Sequence, residues 1–219
     1  MFNNSLISKS LLGTATLSLA LFSATAFAGP GKSGENGKPA GVGQPGDSNI
    51  VEIAMSVNEA TGQFSYLLGA VGCFTDEDTG ENPIVDLLTG ADKLTLFAPT
   101  DDAFIALQGV LGVPEEDRAP EVTCLVDTVL ETPGALFTIL AYHLTDGRRF
   151  SNSLFNENSS KEVEMLAGGN ITTSNGTIID GFPQVINGVE GFLNINASNG
   201  VIHVINTVML PYNPLASED

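Results

Sequence analysis

Apolar side chains recur every three or four residues early in the chain and at alternate positions late in it. Behind Asp47, Ser48 and Asn49, which are candidate caps, Ile50, Ile53, Ala54 and Val57 fall at helical spacing and predict a helix starting near Asn49. Phe64, Leu67, Leu68 and Val71 predict a second helix. An acidic segment, Thr75 to Pro83, follows, and then a short apolar piece through Leu88. Lys93 to Phe97 reads as a buried strand ending at Pro99. Thr100 or Asp101 then caps a short helix that carries Phe104 and Leu107. Phe97 and Phe104 are spaced to enter one core from the strand and the helix.

The stretch from Gly109 to Pro133 looks inserted, and Leu136, Ile139, Leu140 and Tyr142 mark another helix beyond it. After Phe150 the pattern becomes one of strands: Glu162 to Leu166, Asn170 to Thr173, Thr177 to Ile179, Phe192 to Ile195, Val201 to Ile205 and Val208 to Leu210. They are short, rich in Val, Ile and Thr, and punctuated by Asn-Gly turns at Asn175, Asn187 and Asn199. In the run from Val201 to Ile205 both alternating faces are largely apolar, as in a central strand. Helices first and strands afterwards imply an α+β domain.

The two ends of the chain have a different character. Lys9 precedes an apolar stretch from Leu11 to Ala26, broken by Ser, Thr and Gly and closing on Ala26-Phe27-Ala28, the layout of a secretory leader cleaved after Ala28. The run is short of the roughly 20 apolar residues a membrane span needs, so no membrane insertion is expected once residues 1–28 are removed. Residues 29–48 are dense in Gly, Pro and Ser and form a predicted flexible linker. That stretch twice spells GxGxxG, but without the preceding strand and following helix that a dinucleotide fingerprint requires. The expected domain covers 49–213, and 214–219 form a tail.

Composition narrows the function. With Lys+Arg 8 against Asp+Glu 26 the chain carries a formal charge of −18, which repels nucleic acid and anionic lipid. Two histidines, His143 and His203, are the only side chains that ordinarily titrate near neutrality. No nucleophile elbow, zinc-protease motif or phosphate loop accompanies them. An esterase-like pairing of His143 with Asp101 or Asp102 is conceivable, but no nucleophile is nominated; hydrogen-bonded structural roles fit both histidines better. No cofactor is expected. Asp76, Asp78 and Glu81 are candidate calcium ligands by residue type, although Gly80 and Leu87 occupy positions where an EF-hand loop needs oxygen donors. Cys73 and Cys124 are the only cysteines, and an exported chain would join them in a disulfide; buried free thiols are the alternative.

Three blocks are more specific than any periodicity. Leu94-Thr-Leu-Phe-Ala-Pro-Thr-Asp-Asp-Ala-Phe104 resembles the first signature block of the fasciclin family. Ile139-Leu-Ala-Tyr-His143 is similar to that family's Tyr-His position, and Asn199-Gly-Val-Ile-His-Val-Ile-Asn-Thr-Val-Met-Leu-Pro211 resembles its second block. The resemblance singles out Phe97, Pro99, Thr100, Phe104, Tyr142, His143, Asn199, Gly200, His203 and Pro211. It implies a wedge of two small β-sheets with helices packed on one side, and non-catalytic extracellular work in adhesion, matrix association or surface display. The expected partner is a surface or matrix protein or polysaccharide; a calcium-stabilised extracellular structural protein is the alternative. The segments holding Cys73 and Cys124 both look added to the family pattern, and an Asn-Lys-Asp-Ile type adhesion sequence is absent.

Overall fold

In the computed structural model residues 47–76, 78–155, 159–180, 185–189 and 191–213 are described, so the predicted leader, the linker up to residue 46 and the tail 214–219 lie outside the described residues. The chain opens with helix α1, Ile50–Thr61. Its start is set by a capping box, in which the Asn49 carboxamide accepts from Glu52 N while the Glu52 carboxylate accepts from Asn49 N. Helices α2 (Ser65–Gly72) and α3 (Pro83–Thr89) follow. The acidic segment thus ends in a helix that the sequence reading passed over, although Asn82 as cap and Pro83 in the first turn are its ordinary start signal.

Strand β1 (Leu94–Pro99) leads into α4 (Asp101–Val110). Two 3₁₀ turns, Glu115–Asp117 and Pro120–Leu125, precede the short α5 (Val126–Val129), α6 (Ala135–Ala141), strand β2 (Leu144–Asp146) and α7 (Ser151–Leu154). The remaining strands are β3 (Lys161–Glu164), β4 (Asn170–Ser174), β5 (Thr177–Ile179), β6 (Val185–Asn187), β7 (Ile195–Ala197) and β8 (Gly200–Ile205). They form two four-stranded sheets, ordered β2-β1-β8-β7 and β3-β4-β5-β6. The second is an antiparallel meander, whereas in the first the parallel pairing of β1 with β8 joins the start of the domain to its end.

Every residue of β1 and β8 is buried. One face of this pair, with Leu94, Leu96, Ala98, Ile202 and Val204, meets the helices through Ile50, Phe64, Leu67, Phe104 and Leu136. The opposite face, with Phe97 and Ile205, meets the second sheet through Val163, Ile171 and Ile178. The architecture is therefore helices, sheet, sheet, the α+β arrangement expected. Phe97 and Phe104 do not share a core: successive strand residues face opposite ways, so Phe97 points away from the layer that Leu96, Ala98 and Phe104 occupy.

Two predicted strands differ. The run from Val208 to Leu210 is not a strand, and two of its N–H groups are taken by side chains: Met209 N donates to His143 Nε2 at 2.9 Å and Leu210 N to an Asp180 carboxylate oxygen at 2.7 Å. The run from Phe192 to Ile195 is broken by left-handed backbone at Gly191 and Asn194, φ 84° and 60°, which delays β7 to Ile195. Thr100 occupies the cap position of α4, yet its side chain makes no capping bond. Asp101 caps a different helix, its carboxylate accepting from Tyr66 N at 2.9 Å in the first turn of α2.

Cys73, at the end of α2, and Cys124, in the second 3₁₀ turn, are joined in a disulfide with Cα atoms 5.5 Å apart. The bond ties together the two segments that look added to the family pattern. With its ends 51 positions apart in the sequence, the loop-entropy relation assigns it about 4 kcal/mol. Replacing both cysteines by Ser should lower unfolding stability by up to about 4 kcal/mol in urea titrations; a loss below about 1 kcal/mol would show that α2 and the 3₁₀ segment hold together by packing alone.

Candidate functional site

The signature positions converge on the central strand pair rather than on a cleft. Asn199, at the turn into β8, accepts from Ile50 N at 3.0 Å through Oδ1 and donates to Leu88 O at 2.7 Å through Nδ2, while its own carbonyl accepts from Leu94 N. One buried carboxamide thus joins the start of α1 to the end of α3, and the backbone of the same residue holds the first residue of β1. Gly200 follows because nothing larger fits: a Cβ there would press into Leu94 O and the Ile50 side chain. Overpacking of that kind costs about 1 to 3 kcal/mol. Pro99 ends β1, and Pro211 follows the last core residue, Leu210.

Both histidines are sealed in the interior. His143 follows α6 and stands with Nδ1 2.7 Å from Ile139 O and Nε2 2.9 Å from Met209 N. A carbonyl only accepts and an amide N–H only donates, so His143 is the neutral tautomer with the proton on Nδ1. Burial pushes its pKa down to about 4, partly opposed by the bond to Ile139. His203 carries the opposite tautomer, donating from Nε2 to Arg149 O at 2.7 Å and accepting from Asn194 N at Nδ1. Burial holds its pKa below the ordinary histidine value as well. Phe97 stacks on the His203 ring at 5.7 Å and Phe155 meets it edge-on. Tyr142 fills the core between the sheets, and its hydroxyl donates to Asn170 O at 3.3 Å.

No esterase-like pair is formed. Both nitrogens of His143 bond to backbone, and Asp101 is occupied with Tyr66 N. In the acidic loop, Asp76 Oδ1 accepts from Asp78 N, Thr79 N and Thr79 Oγ1, which lowers its pKa. That oxygen organises a turn with Asp78 at its tip, and among the described residues no three His, Cys, Asp or Glu side chains are grouped to hold a metal. Asn-x-Ser/Thr glycosylation sequences occur at Asn158, Asn170, Asn175 and Asn196; Asn158 lies outside the described residues, while Asn196 is buried and accepts from Arg148 at 2.9 Å.

What the sequence reading missed is an exposed apolar surface around the disulfide. Leu125, Val129 and Phe137 are 52%, 43% and 42% exposed. The rings of Phe74 and Phe137 meet edge-on at 5.8 Å, Leu125 stands at the cap position of α5 and Val129 at its last residue, and Asp127 fixes the turn into α6 by accepting from Gly134 N and Leu136 N. The signal was present as large apolar residues, Phe74, Leu125 and Val129, inside segments that look added to the family pattern.

A two-sheet α+β module whose two buried histidines are held in internal bonds is the class of protein defined by this geometry. The chain belongs to the fasciclin family: the model of the Fasciclin domain matches residues 79–211. It is similar to Protein sll1483 of Synechocystis sp., 34% identical over 162 residues covering 74% of this chain and 73% of the relative. It is also similar to the uncharacterized protein sll1735 of the same organism, at 33% over 171 residues covering 74% and 97%. Among solved structures the fold is that of a FAS1 domain pair from the insect cell adhesion molecule Fasciclin I, with TM-score 0.50 at 17% identity over 78% of this chain. This chain spans about half of that one, 51%. Fasciclin domains are generally non-catalytic, adhesion-related modules that are typically extracellular or surface-exposed. The disulfide fits an oxidising compartment, and no described helix is long and apolar enough to cross a membrane.

The state of His143 sets a pH dependence. Its folded pKa lies near 4 against an ordinary 6.5, so the fold keeps the full contribution above pH 6.5 and loses it as pH falls toward 4, where only the unfolded chain takes up the proton. His203 shifts in the same direction. Between pH 7.5 and pH 5 the His143 contribution to unfolding stability should fall by about 2 kcal/mol. Urea midpoints across that range check this against His143→Gln, which cannot titrate and should show a shallower slope; equal slopes would remove His143 as the cause.

Proposed function

We propose that this protein is a secreted, non-catalytic binding module that engages a protein or polysaccharide at the cell surface or in the surrounding matrix. The reading is carried by the consumption of the family's signature polar groups in the scaffold: His143, His203 and Asn199 all bond to internal backbone. Groups so held cannot move a proton to or from an outside molecule, so the chemistry left to the exterior is recognition. The disulfide and the predicted leader support export, and the excess of carboxylates keeps such a module soluble and away from nucleic acid.

The calcium-stabilised alternative draws less support, since Asp76 already spends an oxygen on three donors from its own loop. Co-sedimentation of the mature protein with envelope and matrix fractions tests the choice. Retention that is saturable and indifferent to chelator is expected. Loss of retention together with a fall in melting temperature on adding chelator would favour the calcium reading, and no retention in either condition would overturn the binding-module reading.

A further inference from the structure

The exposed apolar surface described above is built, not incidental. Cys73 brings the end of α2 against the 3₁₀ turn that carries Cys124, so that Phe74, whose ring meets Phe137, and the exposed Leu125 each directly follow a half of the bond, with the exposed Val129 four residues further on. Soluble proteins seldom leave several large apolar side chains together in water without a use for them. The segments forming this side have a second property. From residue 47 to 92, and again from 119 to 147, there is no Lys or Arg. The charged residues that neighbour the apolar centre along these segments are carboxylates: Asp76, Asp78 and Glu81 in the loop after Phe74, Glu121 ahead of Cys124, Asp127 in α5 and Glu131 after it. Arg118, the cation closest in sequence, is engaged by its own neighbourhood, its Nε donating to Val113 O and its guanidinium lying over Gly109.

An apolar centre with a rim of one sign selects its occupant. A second copy would bring carboxylate rim against carboxylate rim on chains that already carry −18 each. An anionic polysaccharide or lipid meets the same repulsion, and a neutral glycan gives the aliphatic centre little to bury. On the binding-module reading above, we infer that this face docks a cationic, amphipathic segment of a partner protein, whose apolar side chains cover Phe74, Leu125, Val129 and Phe137 while its Lys or Arg side chains reach the surrounding carboxylates. Apolar burial supplies the affinity, and the charge pattern supplies orientation and partner choice.

The test measures binding of the mature protein to three labelled model peptides by fluorescence anisotropy: an amphipathic Leu/Lys helix, its Leu/Glu counterpart, and a Ser/Lys peptide of equal charge without the apolar face. The expected result is saturable binding of Leu/Lys at least tenfold tighter than of either other peptide. Leu125→Ser with Phe137→Ser should weaken it at least tenfold, while Ile179→Ser, an exposed apolar position elsewhere, leaves it unchanged. Because Phe137 touches Phe74, Leu125→Lys serves as a second variant that is free of that contact and should weaken binding equally. Failure to bind, equal binding of Leu/Lys and Ser/Lys, or indifference to the Leu125 and Phe137 substitutions would overturn the inference. So would a dimer in sedimentation that dissolves in the Phe137→Ser variant, which would make a second copy the occupant. Should the peptide fail while the protein is still retained on envelope or matrix fractions, the binding-module reading stands and this face is not the site.

Discussion

The fold depends on one pairing, the parallel contact of β1 with β8, both of whose faces are dry. A strand pair buried on both sides has no edge at which an awkward side chain can reach water. Each polar group placed there must therefore find a partner inside the protein, or the domain loses the cost of an unmade bond, about 1 to 3 kcal/mol. Thr95 meets this demand by donating to Gly147 O and accepting from Arg149 N. His203 does so through Arg149 O and Asn194 N. Both solutions recruit the segment just after β2, so the demand made by the central pair also places the chain that crosses from the first sheet to the second.

The same constraint separates architecture from recognition. Residues of the signature blocks lie in or beside the central pair, and their hydrogen bonds close on the protein itself. Histidine suits two of these places because a neutral imidazole is a donor on one side and an acceptor on the other, and the two rings are held in opposite tautomers by what surrounds them. Surface properties are left to segments farther from that pair. The disulfide joins the segments carrying Phe74 and Leu125 and adds a covalent limit on their freedom to the packing of α2 on the 3₁₀ segment, where Pro120 lies against Gly69 and Thr123 is buried.

Much of this was legible from residue types and spacing. Asn49 marked the first helix because capping is a local interaction, and alternation put Ile202 and Val204 on one face of β8 and Ile205 on the other. The strand Thr177–Ile179 was read with its boundaries. Misreadings occurred where the deciding partner was distant in sequence. Val208 to Leu210 has the composition of a strand, but the acceptors for the N–H groups of Met209 and Leu210 are side chains of His143 and Asp180. Phe97 was assigned to the core of Phe104 because spacing along the chain says how far apart two residues are, not which face each one serves.

By itself the sequence determined the family, the α+β class, the caps and turns, and the surplus of negative charge, because each is a matter of residue identity or of interactions within a few positions. Only the tertiary structure decided that two histidines are neutral and of opposite tautomer, that Asp101 caps a helix other than its own, and that Phe74, Leu125, Val129 and Phe137 emerge together beside a disulfide. These depend on groups brought together from far along the chain, and neither the protonation of a buried ring nor the exposure of an apolar side chain exists until the surrounding atoms have taken their places.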